Sequence, residues 1–450
     1  MTIAAMQATA APGTPEGTRG ARPSVWLADP FCFTPWYTAA LAGALRDAGT
    51  AVRLISASIA REPNYFARSG LTADPGPIRW DRCADHWHPR VRKTMRAAAA
   101  IANTLILTRT LERKEAGRPN ILHLQQLPAL NHGVSFDFDL IAAAQRYGIP
   151  VVHTVHNLLP HDTGEQLRPV YQRLYSVVDH LICHSTDIAQ ALRGKFGVDA
   201  DAITVIPHGP LFEEVSTAEG LRVDARQRLG IERKRPVALW QGVLAPYKGL
   251  DLLLDSWKRS MSTWDPGAGC PLLLIAGSGS AAEEELVQRT ARLHPDTIRA
   301  DLRYIATEEI PHYYRVADVI LYPYRSITTS GALLTGLSYC KPIVAFDLAP
   351  FRQYLQHGSN AVLVPPGDDV LLTKVLSRLL REVAAMRDQT AMSCSGTQPS
   401  DVPYPALLQG AMNNRLLYTG WDEIAARTVK VYGQLLGGAS KEVCNTLHTV

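Results

Sequence analysis

Apolar runs of strand length recur down this chain with helical segments between them, and the pattern appears twice in series. In the first half the runs fall at 25–28, 52–56, 121–125, 151–155, 180–183 and 203–206. In the second they fall at 237–241, 272–276, 302–305, 319–322 and 343–346. Helical periodicity marks 38–47, 136–146 and 166–178. Strands alternating with helices of this length dictate parallel sheets covered on both faces. A chain of 450 residues is too long for one ordinary core, so two α/β domains follow. Ligands of such sheets bind at the carboxyl ends of the strands, which predicts a cleft between the domains.

The apolar runs break between 212 and 236, where Glu213-Glu214 and Glu232-Arg233-Lys234-Arg235 intervene. The expected domains are therefore 23–213 and 234–415. Residues 1–22 are rich in Ala, Gly, Thr and Pro without a continuous apolar core, and are expected to be a disordered tail and no signal peptide. A polar stretch at 387–404 reads as a loose loop. After it, Trp421, Ile424, Ala425, Thr428 and Tyr432 share one helical face, which predicts a return helix at 416–436 packing across the domains. Residues 437–450 remain as a tail.

Composition narrows the class. A net charge of +4, with no basic run interleaved with aromatics, gives no ground for nucleic-acid binding. The seven cysteines are scattered and never in C-x-x-C spacing, so they read as reduced thiols of a cytosolic protein. No run of 18 apolar residues exists, so nothing is expected to span a membrane. The expected location is cytoplasmic, peripheral to the inner membrane face at most.

Three loops converge on one strand-end rim of the second half. An apolar strand ending at Tyr324 leads through the hydroxyl-rich turn 326–330, with Thr328, Thr329 and Ser330, into a short helix opening at Gly331-Ala332. Free N–H groups at a helix start, with glycine allowing close approach, make an anion site; plain Ser/Thr capping is the competing explanation. The second loop is Gln241-Gly242-Val243-Leu244-Ala245-Pro246-Tyr247-Lys248-Gly249, whose lysine can lie over phosphates as a point charge. The third is Ala276-Gly277-Ser278-Gly279-Ser280, which by itself is only a glycine-rich turn.

In the first half, His153-Thr154-Val155-His156-Asn157-Leu158-Leu159-Pro160-His161-Asp162 runs off a strand into a loop. Clustered imidazoles and a carboxylate there suit general-base work; His156 and Asp162 are the candidates, while His153 and His161 read as packing and loop residues. No companion set of ligands makes this a metal site. His208, in Ile206-Pro207-His208-Gly209-Pro210, ends the last strand of that half, where it either touches a donor or shapes a turn. Asp137-Phe138-Asp139 resembles a D-x-D metal motif but sits at a helix start, where the dipole favours carboxylates. Residues 90–114 carry Arg90, Arg92, Lys93, Arg96, Arg109, Arg113 and Lys114 around an apolar middle. Such a helix either lies at an anionic membrane surface or presents a solvated face.

The run Gly242…Pro246-Tyr247-Lys248-Gly249, the Gly277-Ser278-Gly279 turn and Pro323-Tyr324…Ser330-Gly331…Lys341-Pro342-Ile343-Val344 together resemble the donor-binding half of GT-B glycosyltransferases of the family-4 type. The resemblance extends to His156…Asp162, Pro207-His208-Gly209 and Trp421-Asp422-Glu423-Ile424-Ala425, so it spans residues 23–436. It implies two facing Rossmann-like domains, a nucleotide-sugar held by the second, an acceptor held by the first, a C-terminal helix returning to the first, and no metal or other cofactor. Retaining members carry two glutamates eight positions apart where this chain has Ile327 and Thr335, and an arginine where it has Val243. The chain is similar in this combination to the inverting β-mannosyltransferase of xanthan-type polysaccharide assembly.

The resemblance implies a hexosyltransferase taking a GDP- or UDP-sugar to a saccharide acceptor, polyprenyl-diphosphate-linked where the helix at 90–114 meets a membrane. Lys248 and the amides of Gly331 and Ala332 would neutralise the leaving diphosphate, assisted by Gly242, Gly277, Ser278, Thr328, Thr329, Ser330 and His208. Asp162, then His156, would take the acceptor proton, with Asp29 and Asp139 in reserve. Thr335 would stand in for the ribose-binding carboxylate. The alternatives are a non-catalytic glycosyltransferase-like partner subunit, and a sugar-nucleotide epimerase or hydrolase of the same fold.

Overall fold

The computed structural model describes residues 23–30, 32, 34–56, 62, 64–74, 89–113, 117–127, 130, 135–160, 164–213, 219–264, 269–327, 330–388 and 402–446. The first lobe runs β1 (Ser24–Asp29), α1 (Pro35–Asp47), β2 (Ala51–Ser56), α2 (Tyr65–Arg68), β3 (Ala73–Asp74), α3 (Pro89–Glu112), β4 (Ile121–Leu124), α4 (Phe136–Arg146), β5 (Val151–Val155), α5 (Arg168–Val177), β6 (His180–Cys183), α6 (Thr186–Phe196) and β7 (Ile203–Val205). Its strands pair in parallel in the order β3-β2-β1-β4-β5-β6-β7.

The second lobe runs α7 (Glu219–Arg228), β8 (Val237–Gln241), α8 (Leu250–Ser262), β9 (Leu272–Ala276), α9 (Ala281–Leu293), β10 (Ile298–Asp301), α10 (Ile310–Val316), β11 (Val319–Tyr322), α11 (Gly331–Ser338), β12 (Ile343–Phe346), α12 (Ala349–Arg352), β13 (Ala361–Val364), α13 (Asp369–Asp388) and α14 (Tyr404–Ala411). These strands are again parallel, in the order β10-β9-β8-β11-β12-β13. The long helix α15 (Trp421–Thr446) follows.

Alternation along the strands explains why both faces are covered. In β1, Trp26 and Ala28 enter one apolar cluster while Val25 and Leu27 enter the cluster on the opposite face. In β8, Val237 and Leu239 face one cluster, Ala238 and Trp240 the other. This is the two-domain α/β architecture that the alternating runs predict.

Several boundaries differ from expectation. The strand expected at 302–305 lies at Ile298–Asp301, because β10 is an edge strand whose Arg299 and Asp301 face outward and blur the apolar run. The short edge strands β3 and β13 carry too few residues to announce themselves. The stretch between the domains holds α7, whose Ala225 is buried in the second lobe's core. Arg222 and Arg226 of α7 reach Asp318, which also accepts from Val237 N and Arg387. That lobe therefore begins upstream of residue 234.

The return helix is present, and longer than expected. Ile424, Ala425, Val431 and Tyr432 of α15 are buried in the first lobe's core beside Leu41, Ala42 and Leu45 of α1. Trp421 Nε1 donates to the Pro210 carbonyl at 2.7 Å. Gly209 sits where the chain crosses between lobes, and a Cβ there would meet the Trp421 ring at 2.6 Å and Ile424 Cδ1 at 2.9 Å. The tails at 1–22 and 447–450 and the insert at 389–401 lie outside the described residues.

In α3, Leu107 and Leu111 are buried on the first lobe while Arg109 and Arg113 face solvent; the side chains of Arg90, Arg92, Lys93, Arg96 and Lys114 lie outside the described set. No helix among the described residues is long and apolar enough to cross a membrane.

Gly209→Ala is expected to destabilise the protein by about 1–3 kcal/mol through overpacking against α15, measured as a lower urea midpoint at unchanged slope.

Candidate active site

The carboxyl ends of β8, β9 and β11 bring the three second-lobe loops together. Leu244 N donates to the Ser278 carbonyl at 3.0 Å, and Gly242 N to the Ala276 carbonyl at 3.1 Å. Gly277, at φ 145°, is pressed so closely to the Gly242 carbonyl oxygen that any Cβ would overlap it. These glycines thus serve loop-to-loop packing, which is a sufficient reason for them without a phosphate.

The third loop ends in the start of α11. Ser330 Oγ accepts from Leu333 N at 3.1 Å, and the Ser330 carbonyl accepts from Leu334 N at 3.2 Å. The helix's own geometry leaves the Gly331 and Ala332 N–H groups pointing out of its first turn. A Cβ on Gly331 would meet Leu211 Cδ1 at 2.6 Å and lie 3.7 Å from His208 Cε1, so this helix end faces the crossing segment of the first lobe. The capping reading of Ser330 is therefore met in the structure.

Beside it lies Tyr324, whose hydroxyl is buried without a hydrogen-bond partner among the described residues and stands against Ser330. Lys248 is buried too. Its Nζ lies 5.3 Å from the Tyr324 ring centroid and 5.6 Å from that of Trp240, an aromatic enclosure that favours a cation. Burial nevertheless pushes its ammonium pKa down to about 8. Tyr324 is thus the shared wall between Lys248 and the start of α11. A hollow between the lobes is lined by His184 and Ser185 from the first and by Ser330, Leu333, Phe351 and Tyr354 from the second.

Thr335 does not offer itself to that hollow. It is 1% exposed and its Oγ1 donates to the Gly331 carbonyl at 2.8 Å, inside its own helix. Ile327 packs against the core. Both positions named for the absent glutamates are filled by groups that carry no charge. Thr328 and Thr329 lie outside the described residues.

On the first lobe a network of histidines backs the cleft. His156 Nε2 pairs with the Gln125 side chain at 3.0 Å, and its Nδ1 with His184 Nε2 at 3.4 Å. His184 Nδ1 donates to the Ile206 carbonyl at 3.1 Å, and His156 Nε2 donates to Gln125 Oε1, so the two neutral rings meet through lone-pair nitrogens and share no proton there. His208 Nδ1 donates to the Gly209 carbonyl at 2.6 Å, which leaves its Nε2 unprotonated in the neutral ring. The Tyr37 ring packs against His156, His184, His208 and Trp421, with centroids 4.8–5.3 Å away. Burial, reinforced by the neighbouring imidazoles, holds His156 well below the usual histidine range; burial and His184 hold His208 at about 3, and burial holds His184 at about 4.

Two candidates for the base are thereby altered. His156 donates through Nε2 to Gln125 and turns its Nδ1 towards His184 inside the same lobe, so it organises the network and is not aimed at an acceptor. Asp162 and His161 lie outside the described residues. Asp29 is buried and accepts from Thr34 N at 3.0 Å and Thr38 Oγ1 at 3.3 Å, a role in starting α1. Asp139 is exposed in the first turn of α4, and Asp137 accepts from Leu130 N, as the helix-start reading of that motif holds. Among the described residues no group of three or more His, Cys, Asp or Glu is placed to bind a metal. Sequence reasoning missed His184, whose only signal is its place one residue past the end of β6.

The fold and this strand-end cleft define a GT-B glycosyltransferase. A model described as Glycosyltransferase Family 4 matches residues 35–210, and one described as Glycosyl transferases group 1 matches residues 235–382. The chain belongs to glycosyltransferase family 4.

Among curated relatives, the D-inositol 3-phosphate glycosyltransferase of Streptomyces bingchenggensis is 24% identical over 66% of this chain and 64% of its own length. That of Acidothermus cellulolyticus is 27% identical over 53% and 56% respectively. The chain thus spans between half and two thirds of the length of these relatives. Among solved structures, Anabaena HepE in complex with UDP has a TM-score of 0.61 at 16% identity, covering 92% of this chain and 100% of that one. Sucrose-phosphate synthase of Thermosynechococcus elongatus has a TM-score of 0.63 at 16% identity, covering 93% and 100%. At such identity these structures speak for the fold.

The Lys248 shift has a sign that can be checked. The unfolded chain keeps this proton up to about pH 10.5, whereas the folded protein releases it near pH 8. Stability without ligand is therefore expected to rise between pH 8 and 10.5, with half-buried Lys341, also pushed down to about 8 by desolvation, adding to the slope. Affinity for inorganic diphosphate should fall over the same window, because the cation is lost. Calorimetric titration of Lys248→Met at pH 7 should show binding roughly 10- to 100-fold weaker than wild type, with little pH dependence from 8 to 10.

Proposed function

We propose that this protein transfers a hexosyl group from a UDP- or GDP-linked sugar to a saccharide acceptor, with inversion and without a metal. The observation that carries it is the start of α11 opening between the lobes, with the partnerless Tyr324 hydroxyl and Lys248 beside it. The Gly331 and Ala332 amides and the Lys248 ammonium would receive the diphosphate as the bond from sugar C1 to phosphate oxygen breaks. Fixed donors aimed at developing charge are commonly the largest catalytic contribution, about 3 kcal/mol each. HepE structures hold UDP and UDP-glucose in a related fold, which supports a uridine donor as the first to test.

Inversion is supported by the uncharged Ile327 and Thr335, which put no carboxylate at the two positions where retaining members carry glutamates. The acceptor hydroxyl would then lose its proton to a base of the first lobe, for which Asp162 is the proposed residue. The named relatives act on D-inositol 3-phosphate by their description. A polyprenyl-diphosphate-linked saccharide is the acceptor class proposed here, with α3 towards the inner membrane face. A β-mannosyl product of the xanthan type is the corresponding finer reading.

Screening UDP- and GDP-sugars by thermal shift should single out the donor, since a ligand at 100 times its dissociation constant adds about 2.7 kcal/mol. With that donor and a lipid-linked acceptor extract, Asp162→Asn should lower transfer at least ~100-fold while donor-induced stabilisation persists. Unchanged transfer rejects Asp162 as the base. Donor binding with no transfer under any acceptor would favour a partner-subunit role, and donor turnover without acceptor would favour an epimerase or hydrolase.

A further inference from the structure

Glu62 stands apart from everything above. It lies between β2 and α2 on the first lobe, and its carboxylate is only 5% exposed. Its Oε1 accepts three hydrogen bonds, all from the loop that follows β10 on the second lobe: Tyr304 OH at 2.7 Å, Thr307 N at 2.8 Å and Thr307 Oγ1 at 2.9 Å. Its Oε2 accepts from Arg68 of its own lobe at 2.6 Å. Each carboxylate oxygen therefore serves one lobe. Thr307 Oγ1, while donating to Glu62, accepts from Trp36 Nε1 at 3.0 Å. Trp36 sits in the first turn of α1, at the carboxyl end of β1, with its ring edge against Phe212 of the crossing segment at 5.7 Å.

We propose that Glu62 is a positioning residue that clasps the lobes together through Thr307, and thereby sets the Trp36 ring as a wall of the acceptor side of the cleft. The chemistry suits a contact that opens and closes. A carboxylate released from the second lobe keeps Arg68 and regains water, so parting leaves no naked apolar face. The three donors on the other side are equally at home in water. An apolar seam would resist opening, whereas this one exchanges hydrogen bonds with solvent. The link to the acceptor side rests on the functional reading given above; the clasp itself does not.

The test uses the whole chain with 5-fluorotryptophan incorporated, the Trp36 fluorine resonance being assigned by Trp36→Phe. Glu62→Ala and Thr307→Val should each enlarge the radius of gyration seen by small-angle X-ray scattering and move the Trp36 resonance in the same direction. Glu62→Gln, which keeps one acceptor oxygen for the second lobe, should fall between Glu62→Ala and wild type. Glu308→Gln removes only the exposed Arg68–Glu308 pair at the same edge and should change neither signal. Wild-type scattering and an unmoved Trp36 resonance in both Glu62→Ala and Thr307→Val would overturn the clasp. Should Glu62→Ala fail to fold, Thr307→Val, close to isosteric, decides alone. UDP-glucose stabilisation is measured alongside: its absence in wild type would count against the donor reading only, since scattering and fluorine signals need no ligand.

Discussion

The chain crosses between its two lobes twice, and the packing of one crossing on the other fixes how the sheets face. Outbound, it leaves β7 through Pro207-His208-Gly209-Pro210; inbound, it returns as α15. The two meet where Gly209 has no room for a methyl group beside Trp421 and Ile424. Because Ile424, Ala425 and Tyr432 then fill the core next to α1, the return helix is part of the first lobe's interior. His208 and Leu211 are delivered to the start of α11 as a by-product of this crossing. The separation of the cleft walls therefore depends on apolar packing directly behind the histidine network.

The two walls differ in their electrostatics. The first lobe presents imidazoles that burial keeps neutral, with oxygen acceptors setting the proton on His156 Nε2, His184 Nδ1 and His208 Nδ1. The second presents a lysine whose charge is tolerated because aromatic faces surround it, together with the positive end of a helix. Among the described residues, such a pairing sets neutral imidazoles of the first lobe opposite a cationic wall of the second. It also means that both walls are costly to hydrate, which favours a site that closes over its ligand.

Much of the architecture was legible because periodicity reports burial directly. Val151–Val155 and Leu272–Ala276 are apolar runs that became central strands, and the face read at Trp421, Ile424, Ala425, Thr428 and Tyr432 is the one α15 buries. Edge strands were mostly not legible: β7 was read at 203–206, but β3 has two residues, β10 carries Arg299 and Asp301, and β13 is four residues long. Turn chemistry made the helix start at Ser330-Gly331 and the turn ending at Lys248 readable. Glu62 was not, since an isolated glutamate acquires meaning only from Thr307, 245 residues away. The engagement of His156 was equally hidden, because Gln125 and His184 lie just past the ends of β4 and β6. Thr335 illustrates the converse: its position was found by resemblance, but its inward hydroxyl is decided by the helix.

That inward threonine limits what residue 335 can do. With the hydroxyl tied to Gly331, and the Thr335 carbonyl in turn accepting from Ser338 Oγ at 2.8 Å, residue 335 is part of the helix's internal wiring. At 1% exposure the position has no room for an acidic side chain, and a charge there would be held away from water. A carboxylate at residue 335 would strain α11 before it served the cleft.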